Sequence, residues 1–334
     1  MTTRERFTAT LNLKKPDRYP VFEWATWWDK TLDRWRGEGM PELSAEERWD
    51  YFGLDHHKQF WLPHMSRELK LPERPHGAGI IANEADYDAL APMLYPADPL
   101  SGFAQGIARA AQRQLNGETI VWITLEGFFW FPRTLFGIEN HFYAFYDYPE
   151  LYHRICEDAL AFQLRALDAF CAICIPEFVT IAEDMSYNHG PMLSKATFDA
   201  FVAPYYHRLI PRLKAYGIKV LVDTDGQVMP MLPWLLEAGV EGIGPLERQA
   251  GVDICQIKRD YPGILMFGGF DKMVMKRGEA AMRAEFERVL PALRAGGVML
   301  SVDHQTPPDV PLENYMAYVR LLKEYCTRAA DDGA

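Results

Sequence analysis

Basic residues are in short supply. The chain has 35 Lys+Arg against 46 Asp+Glu, a formal net charge of −11. That balance excludes a nucleic-acid backbone or an anionic membrane surface as the main partner. Long apolar runs are missing too, and none approaches the roughly 20 residues that a helical membrane span needs. The opening MTTRERFTATLNLKKPDRYP has no apolar core of the kind a secretory signal carries, so the expected location is the cytoplasm. Cysteine is scarce: five scattered residues, an odd number, fit a reducing compartment and no disulfide framework. Cys171 and Cys174 form a CxxC pair inside the apolar stretch ALDAFCAICIP. With no second such pair, they read as core thiols at a helix end, not as a zinc or redox site. A GxGxxG turn after the first strand is also absent, which leaves a dinucleotide site without support.

What is present is an alternation of strands and helices over 334 residues, enough for one α/β domain spanning 1–334. Eight short segments read as strands by their β-branched and apolar content: Tyr19–Ala25, HHKQFWL within Leu54–Leu62, Thr119–Leu125, Phe178–Ala182, Lys219–Val222, Val240–Ile243, Ile264–Phe267 and Val298–Ser301. Helices are expected over Pro149–Cys174, Lys195–Tyr216, Val228–Ala238, Gly278–Ala295 and Leu312–Ala329. Strands alternating with helices imply parallel pairing, and eight such units are the count of a (β/α)8 TIM barrel. The expected fold has N-terminal additions and a long insertion after the second strand, over 63–118, read as a lid or decoration. In such a barrel the polar strand ends converge on one mouth: Glu126, Glu183, Asp223, Asp225, Glu247, Asp271, Asp303 and His304.

The densest of these ends is KVLVDTDGQV at Lys219–Val228. Residues i and i+2 of an extended chain share a face, so Asp223 and Asp225 present two carboxylates side by side. Two such charges repel unless a proton, a cation or a basic partner stands between them. Asp225 could equally start a turn, Glu183 and Asp184 could pair with a nearby arginine, and His304 could be a loop histidine ahead of Pro307-Pro308. His189 either lines the mouth or begins its loop. Aromatic residues are dense at the early strand ends: Trp24, Trp27, Trp28, Trp61 and the run Phe128, Phe129, Trp130, Phe131. Core packing accounts for part of them, and the rest would suit a planar aromatic ligand or a quaternary ammonium. Arg133 beside that run could hold a ligand carboxylate or lie on the surface.

Six ordered blocks resemble the uroporphyrinogen decarboxylase-like superfamily. They are TTRERFTATLNLKKPDRYPV, GIENHFYAFYDYPELYHRI, EDMSYNHGPMLSKATFDAFVAPYYHRL, DTDGQVMPMLPWLLEAGVEGIGPLE, GGFDK and GGVMLSVDHQTPPDVPLENYMAYV. The resemblance implies a (β/α)8 barrel with a deep cleft, and one of two chemistries: cofactor-free decarboxylation of porphyrinogen acetates, or methyl transfer involving a corrinoid or a thiol with zinc as Lewis acid. The decarboxylases carry an arginine-rich segment after the first strand, where this chain has FEWATWWDKT. The methyltransferases carry His-x-Cys where this chain has Asp223-x-Asp225, and a further Cys near His304.

The expected site therefore has Asp225, Glu183 and His304 as catalytic residues. Glu183, Asp223, Asp225 and His304 are the expected metal ligands, with zinc as the ion. Glu23, Trp24, Trp27, Trp28, Phe129, Trp130, Arg133 and His189 are expected to bind substrate. The expected activity moves a methyl group from a small O-methyl or N-methyl compound to a corrinoid carried by a partner protein. The alternatives are a lyase acting on a carboxylic acid and a non-catalytic ligand-binding barrel.

Overall fold

A computed structural model describes residues 1–65, 69 and 74–331. Residues 66–68 and 70–73 of the expected insertion lie outside it. Seven strands form one parallel sheet: β1 (His57–Leu62), β2 (Ile120–Glu126), β3 (Phe178–Ala182), β6 (Lys219–Asp223), β7 (Gly242–Gly244), β8 (Leu265–Phe270) and β9 (Val298–Val302), hydrogen-bonded in that order. A two-stranded hairpin, β4 (Ser186–Tyr187) and β5 (Gly190–Pro191), stands between β3 and β6 in the chain.

Side chains alternate across each strand, and two apolar layers result. The outer layer packs the sheet against its helices. The inner layer joins Ile120, Trp122, Phe178, Leu221, Leu265, Phe267 and Met299 to Phe22 and to Phe7 and Leu11 of the helix Thr3–Leu11. One cluster drawing on β2 through β9 requires the sheet to curl around it. The Thr2–Glu5 capping box starts that helix and so fixes where Phe7 and Leu11 enter. Above the inner layer is a polar one, in which Gln59 donates to Thr124 and the Thr124 and Thr180 hydroxyls are 2.8 Å apart.

One expected strand is not a strand. Tyr19–Ala25 is extended but belongs to no ladder. It contacts both ends of the sheet: Val21 O accepts from Asp55 N, Glu23 O meets His57 Nε2, and the Trp24 indole donates to Val302 O. Proline at 20 removes one of the N–H groups a ladder needs. The expected helix Lys195–Tyr216 is two helices, Lys195–Phe201 and Ala203–Ala215, because Pro204 opens the second. GFFWFPR, the aromatic run after β2, leads into the helix Trp130–Phe136, followed by Ile138–Asp147. Within 63–118, Tyr87, Leu90, Leu94, Leu100, Ile107 and Ala110 join the main core. No helix among the described residues is long and apolar enough to cross a membrane.

Candidate active site

The inner faces of the strands decide which side chains reach the C-terminal end. Asp223 follows Leu221 on that face, Ala182 follows Phe178 and Thr180, and Asp303 follows Met299 and Ser301. The chain then turns at Gly226, whose φ of 83° favours glycine and where a Cβ would press on the Tyr187 backbone at 2.6 Å. Asp225 lies on this turn. Its Oδ2 is 3.8 Å from His304 Nε2, so the structure brings together two of the expected site residues, with Asp223 beside them.

This end is crowded with acids. Burial, then the charges of Asp225 and Asp184, push Asp223 up to about 8. Burial, then Glu247 and Asp184, push Asp225 up to about 7, while Lys272 pulls it the other way. Because 41% of the Asp225 side chain faces solvent, water moderates the push on it, and Asp223 is the more firmly protonated of the two. Burial and Lys272 hold His304 below its ordinary value, so its imidazole is neutral at pH 7. Lys272 Nζ lies 3.4 Å from Glu247 Oε1 and 3.3 Å from Asp303 Oδ1, and Asp303 is wholly buried. Arg133 donates to Asp184 Oδ2 at 2.9 Å. Asp184 itself has φ 45°, an uncommon conformation for a non-glycine residue.

Glu183 is not in this group. Odd and even positions alternate, so it follows Ile181 to the outer face of β3. There it is fully buried and accepts from Phe128 N (3.0 Å), Phe129 N (2.8 Å), Trp130 N (3.2 Å) and Tyr206 OH (2.8 Å). Gly127 permits this, since a Cβ there would overlap the Glu183 carboxyl. Burial still raises Glu183 to about 7 against those four bonds. Its role is to pin the start of the Trp130–Phe136 helix.

The expected substrate residues divide. Glu23 is wholly buried under Tyr318 of the helix Leu312–Ala330. Trp27 packs among Trp35, Trp49, Phe52 and Tyr315 in the core. Phe129 is buried against His141 and Phe145. Trp28 and His189 are exposed, the latter against Tyr187. Trp24 is half-buried, its ring 6.0 Å from His304 and 5.3 Å from Phe267. Trp130 lies under the Arg133 guanidinium, 5.4 Å from ring centroid to Cζ. Of the aromatics expected to bind substrate, Trp24 and Trp130 thus remain beside these acids. Phe128 and Phe129 are carried inward by the turn after β2 and Phe131 by the helix that follows it, which leaves Trp130 as the one partly exposed aromatic of the run.

The four residues expected to hold zinc do not fit one. Both Glu183 oxygens are occupied by backbone N–H groups and Tyr206 on the other side of the sheet. Asp225 and His304 supply two donors where a catalytic zinc takes three from protein. Among the described residues, no group of three or more His, Cys, Asp or Glu side chains is placed to hold an ion.

Sequence reasoning under-weighted a third inner-face carboxylate, Glu126. His64 N and Nδ1 both donate to its Oε2, at 2.9 and 2.7 Å, and Gln163 Nε2 lies 3.2 Å from His64 Nε2. Burial works against the charge, but these bonds hold Glu126 below the ordinary carboxylate range. The available signal was its period-two spacing from Trp122 and Thr124. Its partners come from 62 residues upstream and 37 downstream, beyond any local pattern.

The family described as "Uroporphyrinogen decarboxylase (URO-D)" matches residues 62–325. A uroporphyrinogen decarboxylase of Azotobacter vinelandii (strain DJ / ATCC BAA-1303) is 26% identical over 271 residues, covering 75% of this chain and 71% of that protein. The solved structure of a methyltransferase from Methanosarcina mazei superposes with a TM-score of 0.67 at 18% identity, covering 97% of this chain and 99% of that one. That likeness speaks to the fold.

Proposed function

This chain belongs to the uroporphyrinogen decarboxylase family, and from that membership we propose that it is a methyltransferase acting on a small O-methyl or N-methyl compound. In this reading the methyl acceptor is a corrinoid delivered as co-substrate by a partner protein. The observation that carries the proposal is the charge of the cleft. Asp184, Asp223, Asp225, Glu247 and Asp303 gather there, while Arg133 and Lys272 are already paired with Asp184, Glu247 and Asp303. A substrate bearing several carboxylates would meet repulsion from these acids, with Arg133 and Lys272 already engaged. A neutral or cationic methyl donor would not.

The chemistry asked of this chain is a proton. When the acceptor takes the methyl group, the bond between methyl and heteroatom breaks and its electron pair stays on the heteroatom. A protonated Asp225 or Asp223 then gives that atom its proton and becomes a carboxylate. A carboxyl poised near pH 7 suits general-acid work at that pH. Neutral His304 beside Asp225 could orient it or return the proton between turnovers. We also propose that Tyr19–Ala25 takes the eighth place between β9 and β1, closing a (β/α)8 barrel, since it contacts both strands and places Phe22 in the inner layer.

The test is an anaerobic assay of the purified protein with a reduced corrinoid protein and a panel of O-methyl and N-methyl donors, followed by corrinoid absorbance. Formation of methylated corrinoid with at least one donor is expected. CO₂ released from a carboxylic acid, with no methylation across the panel, would replace this reading with the lyase one.

A further inference from the structure

Glu126, Ala182 and Asp223 occupy one row across three neighbouring strands: Glu126 pairs with Ala182, and Ala182 with Asp223. All three face inward, following Thr124, Thr180 and Leu221 at period two. Gly244 extends the row, paired with Asp223. With strands spaced about 4.8 Å apart, the Glu126 and Asp223 backbones stand roughly 10 Å apart. On one side of Asp223 the floor is the Ala182 methyl alone; on the other the Phe267 ring stands over Gly244, where a Cβ would meet it at 2.5 Å. Over Ala182 the row thus has a carboxyl at each side and only a methyl between them.

The two carboxyls are not alike. Glu126 is held at Oε2 by two hydrogen bonds from His64, and the Trp61 indole lies near enough to favour its charged form. Trp61 follows Gln59 on the inner face of β1, and 38% of it is exposed. Across the gap, no described group hydrogen-bonds to the Asp223 carboxyl. Ser301 Oγ, on the inner face of β9 two residues before Asp303, is wholly buried and has no partner either. The interior of the cleft therefore holds unmet polar atoms. An ordered carboxylate beside an open indole face is an arrangement that attracts a quaternary ammonium, through charge and through cation–π attraction together.

We infer that the floor over Ala182, between Glu126 and Asp223 and beside Trp61, seats the positively charged nitrogen of an N-methylammonium substrate. Glu126 is the fixed charge of that seat, with His64 and Gln163 as its positioning residues. The inference rests on the methyltransferase reading and narrows its donors from O-methyl and N-methyl compounds to cationic N-methyl ones. A quaternary nitrogen would lose its methyl as a neutral amine, keeping the bonding pair. That amine would then take the Asp223 proton and leave as an ammonium.

Calorimetric titration of the full chain with choline, and with 3,3-dimethyl-1-butanol as its uncharged carbon isostere, tests this. Choline is expected to bind at least tenfold more tightly than the alcohol. Glu126→Gln, which can still accept from His64, should weaken choline about tenfold and leave the alcohol unchanged. Ala182→Leu, which fills the gap, should abolish both, with circular dichroism confirming that each variant is folded. Failure of choline to bind, equal binding of choline and the alcohol, or unchanged choline affinity in a folded Glu126→Gln would overturn the seat. Choline bound as expected but no methylated corrinoid from any donor would instead overturn the methyltransferase reading and leave the seat standing.

Discussion

Replacing Glu23 with Gln should change how stability depends on pH. Glu23 is wholly buried; Tyr318 OH donates to its Oε1 at 2.8 Å, and its Oε2 has no partner. Burial raises it from 4.5 to about 8 in spite of hydrogen bonds from Tyr318 and the Val302 backbone. Below pH 4.5 both folded and unfolded chains hold the proton, and the shift has no effect. Between pH 4.5 and 8 the unfolded chain releases it and the folded chain does not, so stability falls as pH rises, by about 1.4 kcal/mol per pH unit. The loss contributed by this residue reaches about 3 kcal/mol at pH 7 and about 5 kcal/mol above pH 8. Gln keeps the bond from Tyr318 and has no proton to release. Urea unfolding of both proteins at pH 4, 5, 6, 7 and 8 should show near-equal stability at pH 4 and a widening advantage for Glu23→Gln above it. A constant offset across that range would refute a neutral, buried Glu23.

Three further outcomes follow from contacts in the fold. Gly127→Ala should destabilise by about 2–4 kcal/mol in urea unfolding, because its methyl would displace the Glu183 carboxyl from the amides it caps. His64→Leu should cost about 3–5 kcal/mol by leaving the Glu126 charge buried without its partner, and the paired change to Leu and Gln should recover much of it. Lys272→Met removes a charge that pulls Asp225 downward, so the alkaline limit of methyl transfer, where the acid loses its proton, should move to higher pH in a pH–rate profile.

Much of the sheet was readable because its strands are short apolar runs closed by polar residues. Phe178–Ala182 has the expected bounds, and Lys219–Asp223 and Val298–Val302 differ from expectation by one residue each. Tyr19–Ala25 has the same composition but no ladder; composition reports the preference for extension, whereas pairing depends on partners far along the chain. The proximity of Asp225 and His304 was legible from strand ends of parallel units. The direction of Glu183 was not weighed, although period two from Ile181 turns it outward, away from Asp223. Phe129, counted with Trp130 as a substrate residue, turns into the core for a related reason. Proline at 132 sits in the first turn of a helix, where it is tolerated, and not in a loop. The His64–Glu126 pair joins residues whose contact exists only once β1 and β2 lie side by side.

The claim at the centre is that protons, held on Asp223 and Asp225, do the work of this cleft. The most direct measurement is the melting temperature of wild type and Asp225→Asn, each with and without EDTA, alongside methyl transfer by both. Removing one of two repelling carboxyls should leave the melting temperature of Asp225→Asn equal to or above that of wild type, while its activity is lost. EDTA should move neither curve. A wild-type melting temperature that falls in EDTA and recovers with added Zn²⁺, or full activity in Asp225→Asn, would contradict the account.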